Sequence, residues 1–171
     1  DTIKRSFCKP EKLNSRQSIK DFEGLNNVGD IDKDGKNDYV FVLNPLNRCE
    51  EGQSYYFSNS EIPRIETDSY CCHPKSVFSI GDIDEDGKSE LGQYYSSCAS
   101  RYKAITVWSL KGGKWKEIKS FSYVLNDKYR LFIDFQKLFN KAAKGKLSYL
   151  EISDVDVKGR LVSQWKSGTV K

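Results

Sequence analysis

The sequence predicts a mainly β fold: antiparallel strands joined by acidic loops, with one short helix. Three observations carry this reading. Ten Tyr, nine Phe and three Trp supply much of an apolar fraction of 37%, and large aromatic side chains suit half-buried sheet faces. Short β-favouring runs recur along the chain, separated by Gly, Pro and Asn turn signals. A short acidic segment also occurs twice, 52 residues apart, and each copy runs into one of these strands.

The first acidic segment, Val28-Gly29-Asp30-Ile31-Asp32-Lys33-Asp34-Gly35-Lys36-Asn37-Asp38, leads into Tyr39–Leu43, which Asn44-Pro45 stops. Strands are expected next at Ser54–Ser58 and Ser76–Ile80. The second segment, Ile80-Gly81-Asp82-Ile83-Asp84-Glu85-Asp86-Gly87-Lys88-Ser89-Glu90, leads into Leu91–Tyr95. Ala104–Leu110 and Lys114–Phe121 then form a hairpin around Lys111-Gly112-Gly113. Leu147–Ile152 and Leu161–Trp165 complete the strands. In Lys128–Lys144 the apolar residues fall at 132, 135, 138, 139 and 142, which is helical spacing. A helix is therefore expected over 134–144, with strand at 129–133. Asn126 or Asp127 could cap its start, and Gly145 could end it. No linker or low-complexity stretch divides the chain, so residues 1–171 read as a single domain. No apolar run approaches the roughly eighteen residues that a membrane span needs.

The repeated segment has the spacing D-x-D-x-D-G-x-x-[DE]. Acids at alternate positions converge when the backbone turns sharply, and Gly at the sixth position permits that turn. Calcium is a hard cation that takes about six to eight oxygens. The first loop offers Asp30, Asp32, Asp34, the Lys36 carbonyl and Asp38; the second offers Asp82, Asp84, Asp86, the Lys88 carbonyl and Glu90. Four carboxylates this close repel one another without a cation, so two Ca2+ ions are expected. An EF-hand does not fit, because that loop needs Glu at its twelfth position, where Phe41 and Gln93 stand here. A third, decayed copy at Ile152–Arg160 keeps Asp154, Asp156 and Gly159 but has Lys158 at the third acid. Lys158 is either a cation tethered between the two Asp or a surface lysine, and no calcium is expected there.

The run hydrophobic-Gly-Asp-hydrophobic-Asp-x-Asp-Gly-x-x-acid, followed by a strand, resembles the calcium loops of FG-GAP and VCBS-type repeats, the family seen in integrin-like β-propellers. The resemblance covers the two loops and their following strands. It implies structural calcium in a β-rich extracellular domain that contacts proteins or carbohydrates. The strands would then be linked by calcium loops as a partial propeller or a sandwich.

Five cysteines, Cys8, Cys49, Cys71, Cys72 and Cys98, show neither zinc-finger nor redox C-x-x-C spacing, which suits disulfides in an oxidising compartment. Adjacent cysteines bridge each other poorly. Cys71 and Cys72 are therefore expected to pair with Cys49 and Cys98, leaving Cys8 over. The chain starts at Asp1 and contains no Met, which suggests a removed leader and a secreted, periplasmic or surface-anchored protein. The net charge of +4 would become +8 with two divalent ions bound, because eight of the 24 acids occupy loop ligand positions. The Lys and Arg are scattered, so nucleic acid is not the expected partner.

A catalytic role finds no support in motifs. The only His, His73, lies between Cys72 and Pro74, and there is no nucleophile elbow, P-loop or H-E-x-x-H. Glu51, Glu61, Glu66, Glu117 and Glu151 could supply the carboxylate pair of a glycoside hydrolase, but nothing singles them out. The expectation is a non-enzymatic calcium-binding protein with a protein partner. Alternatives are an immunity or inhibitor protein that neutralises a toxin or hydrolase, a carbohydrate-binding module, or a hydrolase. Tyr55-Tyr56-Phe57 and Tyr94-Tyr95 are candidate interface aromatics or core residues.

Overall fold

The computed structural model describes residues 25–125 and 134–170. Its strands are β1 (Asn26–Gly29), β2 (Asp38–Leu43), β3 (Ser54–Phe57), β4 (Ile65–Glu66), β5 (Val77–Gly81), β6 (Glu90–Tyr95), β7 (Tyr102–Lys111), β8 (Lys114–Val124), β9 (Phe139–Ala143), β10 (Lys146–Val155) and β11 (Leu161–Thr169). The fold is mainly β, as the aromatic-rich alternating runs predict. Strands β1 to β4 form one antiparallel meander. Strands β5 to β8 form a second, whose sheet continues through β10 and β11, with β9 also paired to β10. Among the described residues, the one parallel contact joins β8 to β10 at Tyr123 and Ile152.

The two meanders start in the same way. Strands β1 and β2 pair Asn26 with Val40, Asn27 with Tyr39 and Gly29 with Asp38, with a register shift between Asn27 and Gly29. Strands β5 and β6 pair Phe78 with Gly92, Ser79 with Leu91 and Gly81 with Glu90, with a shift between Ser79 and Gly81. Every partner is displaced by the same 52 residues. At each shift a glycine takes positive φ, 79° at Gly29 and 87° at Gly81, a conformation that favours glycine in a bulge. A side chain two residues earlier fixes it: Asn27 Oδ1 accepts the Gly29 N–H, and Ser79 Oγ accepts the Gly81 N–H.

Two apolar clusters fill the interior. The first meander meets the second through Val28, Ile31, Val40, Tyr55, Phe57, Ile65, Val77 and Leu91. The larger cluster gathers Phe78, Ile83, Ile105, Val107, Phe121, Tyr123 and the β10 residues Leu147, Tyr149 and Ile152. Each acidic loop drives one isoleucine into one cluster, Ile31 (0% exposed) or Ile83 (1%). The whole of Tyr55-Tyr56-Phe57 is buried, so these aromatics are core rather than interface.

The helix expected over 134–144 is instead a 3-10 turn at Phe135–Leu138 followed by β9. Asp134 caps the turn through its side chain, and the turn buries Phe135 and Leu138. Strand β9 then satisfies its backbone against β10, pairing Phe139 with Tyr149 and Asn140 with Ser148. A three-residue repeat followed by strand mimics the helical period. The strand expected at 129–133 and the caps Asn126 and Asp127 lie outside the described residues. The other expected strands are present, while β1 and the two-residue β4 were not foreseen.

Close packing makes one glycine position testable. A Cβ on Gly92 would lie 2.3 Å from two ring carbons of Phe78, whose ring is held against Phe135 and Phe139. Gly92→Ala is expected to lower the unfolding free energy by about 1–3 kcal/mol, measured by urea denaturation.

Candidate metal centre

The two acidic loops are the same structure built twice. Asp30 Oδ2 accepts the Gly35 N–H at 2.9 Å, and Asp82 Oδ2 accepts the Gly87 N–H at 3.0 Å. Asp32 Oδ1 accepts from Asp34 N–H at 3.3 Å, and Asp84 Oδ1 from Asp86 N–H at 3.1 Å. Asp34 and Asp86 each take the N–H of the following lysine, Lys36 or Lys88, at 2.9 Å. The turn runs through positive φ at Lys33 (60°) and Gly35 (89°), and at Glu85 (61°) and Gly87 (95°). Side-chain acceptors facing successive N–H groups hold this sparsely populated backbone in place.

Each loop is closed by its ninth residue, the first residue of β2 or β6. Asp38 Oδ2 accepts the Ile31 N–H at 2.9 Å, and Glu90 Oε2 accepts the Ile83 N–H at 2.7 Å. Both acids are buried, 2% and 0% exposed. Burial pushes both carboxyls up; the isoleucine N–H groups act in the opposite direction, and the neighbouring loop aspartates add to the rise. The second oxygen differs between the loops. Glu90 Oε1 accepts the Ser109 hydroxyl at 3.0 Å, whereas Asp38 joins the open carboxylate cluster.

Carboxylate oxygens of Asp30, Asp32 and Asp38 lie within 4.8 Å of one another, and so do those of Asp82, Asp84 and Asp86. Each trio of hard oxygen donors could hold a metal ion. The expected ligands Asp34 and Glu90 fall outside the trios. Lys36 and Lys88 enter the loop hydrogen-bond pattern through their N–H groups.

Neighbouring cations separate the two sites. Asn59 Nδ2 donates to Asp32 Oδ2 at 3.0 Å. At the matching place in the second meander, Lys111 Nζ meets Asp84 Oδ2 at 2.6 Å. Lys33 reaches from the first loop to Asp82 at 3.1 Å. Burial would raise the Asp82 carboxyl, but Lys33 and the Gly87 N–H outweigh it and hold it below the usual range. The hydrogen bond to Asp84 raises the Lys111 ammonium. The first loop thus faces a neutral amide where the second faces ammonium groups.

A relay of backbone bonds aligns these elements. Ser89 N–H of the second loop donates to the Ile31 carbonyl of the first at 3.0 Å, and Gly145 N–H donates to the Ile83 carbonyl at 2.9 Å. The β9–β10 turn therefore stands to the second loop as the second loop stands to the first, and Lys144 pairs with Glu85 at 3.1 Å. The decayed copy at Ile152–Arg160 forms the β10–β11 hairpin instead. There Arg160 Nε meets Asp156 at 2.7 Å, while Lys158 supplies its backbone N–H to the same carboxylate. Of the two readings of Lys158, the surface lysine is the one that fits, since Lys158 is exposed, while Arg160 is the cation at Asp156; an ammonium on a loop aspartate occurs instead at the second loop.

Among the other candidates, Cys71 bridges Cys98, and Cys49 is also disulfide-bonded. Cys72 does not bridge: it is a free thiol turned toward Thr67 Oγ1 and the Ser69 carbonyl. Cys8 lies outside the described residues. His73 caps a 3-10 turn, accepting the Lys75 N–H on Nδ1. Glu151 pairs with Lys166 and Glu66 with Arg64; Glu51 and Glu66 line one cleft, and Glu61, Glu117 and Glu151 are not among its lining residues. No described helix is long and apolar enough to cross a membrane. No protein-family model, curated protein or solved structure matches the chain.

Loop closure can be tested at Glu90. Glu90→Leu strips the acceptor from two buried donors and should cost about 1–3 kcal/mol for each group left unmet. Glu90→Gln keeps an acceptor for Ile83, and Ser109 can turn to accept from the new amide, so its loss should be clearly smaller. Chemical denaturation of both variants checks the order.

Proposed function

We propose that the chain is a non-enzymatic, extracytoplasmic calcium-binding protein whose metal-stiffened β scaffold binds a partner protein. The observation that supports this is the duplication of one loop geometry, with four N–H-to-carboxylate bonds at equivalent positions and three carboxylates gathered within 4.8 Å in each copy. An acidic turn arising by chance has no reason to recur with the same acceptors, the same positive-φ positions and the same buried closing acid. The oxygen-only donor set favours calcium over zinc, which takes nitrogen and sulfur ligands. Asp30, Asp32 and Asp38 would hold one ion, and Asp82, Asp84 and Asp86 the other.

A bound cation would neutralise carboxylates that otherwise repel one another. What this chain's residues contribute is position: the Ile31 and Ile83 plugs tie each loop to the core, so order in the loop is order in the sheet. The Cys71–Cys98 disulfide supports an oxidising compartment. His73 and Glu151 are engaged in local structure, which favours binding over catalysis.

Calorimetric titration of EDTA-stripped protein with calcium tests the reading. Two binding events are expected, with a higher melting temperature in calcium, since a ligand at 100 times its Kd adds about 2.7 kcal/mol. The first loop should bind at least tenfold more tightly, because the second must displace Lys33 and Lys111. Asp32→Ala should remove the tighter event and Asp84→Ala the weaker. Lys111→Asn, which copies the first meander's Asn59, should strengthen the weaker one. Absence of both heat and thermal shift would refute the proposal.

A further inference from the structure

Outside the loops, a cleft of about 720 Å³ lies between the edge of the first meander and the outer face of the second. That volume is in the range that encloses small organic ligands. Its floor follows from strand register. Gln93 of β6 pairs with Thr106 of β7, which pairs with Ser120 of β8. Alternation then points these three side chains to one face, where the Thr106 and Ser120 hydroxyls lie 3.3 Å apart. Trp108 and Tyr95 stand on either side of this polar row and also line the cleft.

Gln93 decides what the cleft can hold. It is only 4% exposed, and its Oε1 accepts the Trp108 indole N–H at 2.7 Å. Its side-chain NH2 makes no hydrogen bond among the described residues. The amide nitrogen is not shut off from solvent; it opens on the cleft floor, where it can donate to an acceptor on a bound molecule. The facing wall is already set: Arg64 bonds Glu50 at 2.7 Å and Glu66 at 2.9 Å, and the Tyr95 hydroxyl donates to Asp68 at 2.7 Å.

We infer that this cleft binds an uncharged carbohydrate. A sugar hydroxyl both donates and accepts, so it can take the Gln93 N–H while giving its proton to Asp68 or Glu66. The aromatic bodies of Trp108 and Tyr95 offer apolar surface to the C–H face of a sugar ring, with their polar tips already engaged. Among the described residues, four carboxylates line the cleft against one guanidinium, a balance that opposes phosphorylated, sulfated and acidic sugars. Mutually bonded side chains lose little freedom on binding. The inference stands apart from the metal reading, since no cleft residue belongs to either loop.

The test is capture of the full-length chain on a glycan array carrying neutral, sialylated and sulfated glycans, with lysine-containing peptides printed alongside. Neutral glycans should be captured at least tenfold better than the anionic ones. Thr106→Ile would fill the floor at an outward-facing strand position suited to a β-branched residue; it should keep the melting temperature and lose capture at least tenfold. Gln93→Ala should also lose capture. The assignment is overturned if no glycan is captured, if only anionic glycans or basic peptides are, or if Thr106→Ile captures as well as the parent.

Discussion

The hydrogen bond from a buried isoleucine N–H to a buried carboxylate, Ile31 to Asp38 and Ile83 to Glu90, is the contact on which the rest depends. It joins the second residue of each acidic loop to the ninth. In doing so it fixes the isoleucine as a core plug, the loop as a tight coil and the closing acid as the first residue of the next strand. Burying a carboxylate is costly unless donors meet it, and here the donor comes from the loop it closes. Loop conformation and meander register are therefore one structural unit, so the same bulge precedes both loops.

The copies differ where a neighbouring strand end reaches back. Asn59 meets Asp32 as a neutral donor, whereas Lys111 meets Asp84 as an ammonium, with Lys33 adding a second cation at Asp82. These lysines offset part of the carboxylate repulsion in the second loop without a metal. Among the described residues, the first loop has only amide donors for the same purpose. In the proposed reading, one geometry thus gives two sites of unequal affinity. The backbone relay from Ile31 to Ser89 and from Ile83 to Gly145 joins both to the β9–β10 turn, so order at one site can be felt along the row.

Much of this was legible in the sequence because the loop is a local motif. Acids at odd positions with Gly at the sixth specify a coil without help from elsewhere, and the strands after each loop follow from alternation. The helix at 134–144 was misread because Phe135 and Leu138 sit three apart in a 3-10 turn, and Phe139 then begins a strand. Neither the amide at Asn59 nor the ammonium at Lys111 was foreseen, although both obey the 52-residue offset. Their signal in the sequence is the same 52-residue offset carried beyond the loops. The cleft could not be read, since Gln93, Thr106, Ser120 and Arg64 meet only through strand pairing and the packing of two meanders. Cys72 was misassigned for a similar reason: whether it bridges depends on the tertiary contacts of Thr67 and Ser69.

The most direct test of the central claim is amide hydrogen exchange at Ile31 and Ile83, followed by NMR in calcium and again in EDTA. The account predicts that in calcium both amides exchange as slowly as a core strand amide such as that of Val107. In EDTA their protection should fall, and more at Ile31, whose loop has no ammonium group on Asp30 or Asp32 among the described residues. If both amides exchange as fast as open loops in either condition, or if calcium leaves them unchanged, the buried N–H-to-carboxylate closure is not what organises this fold.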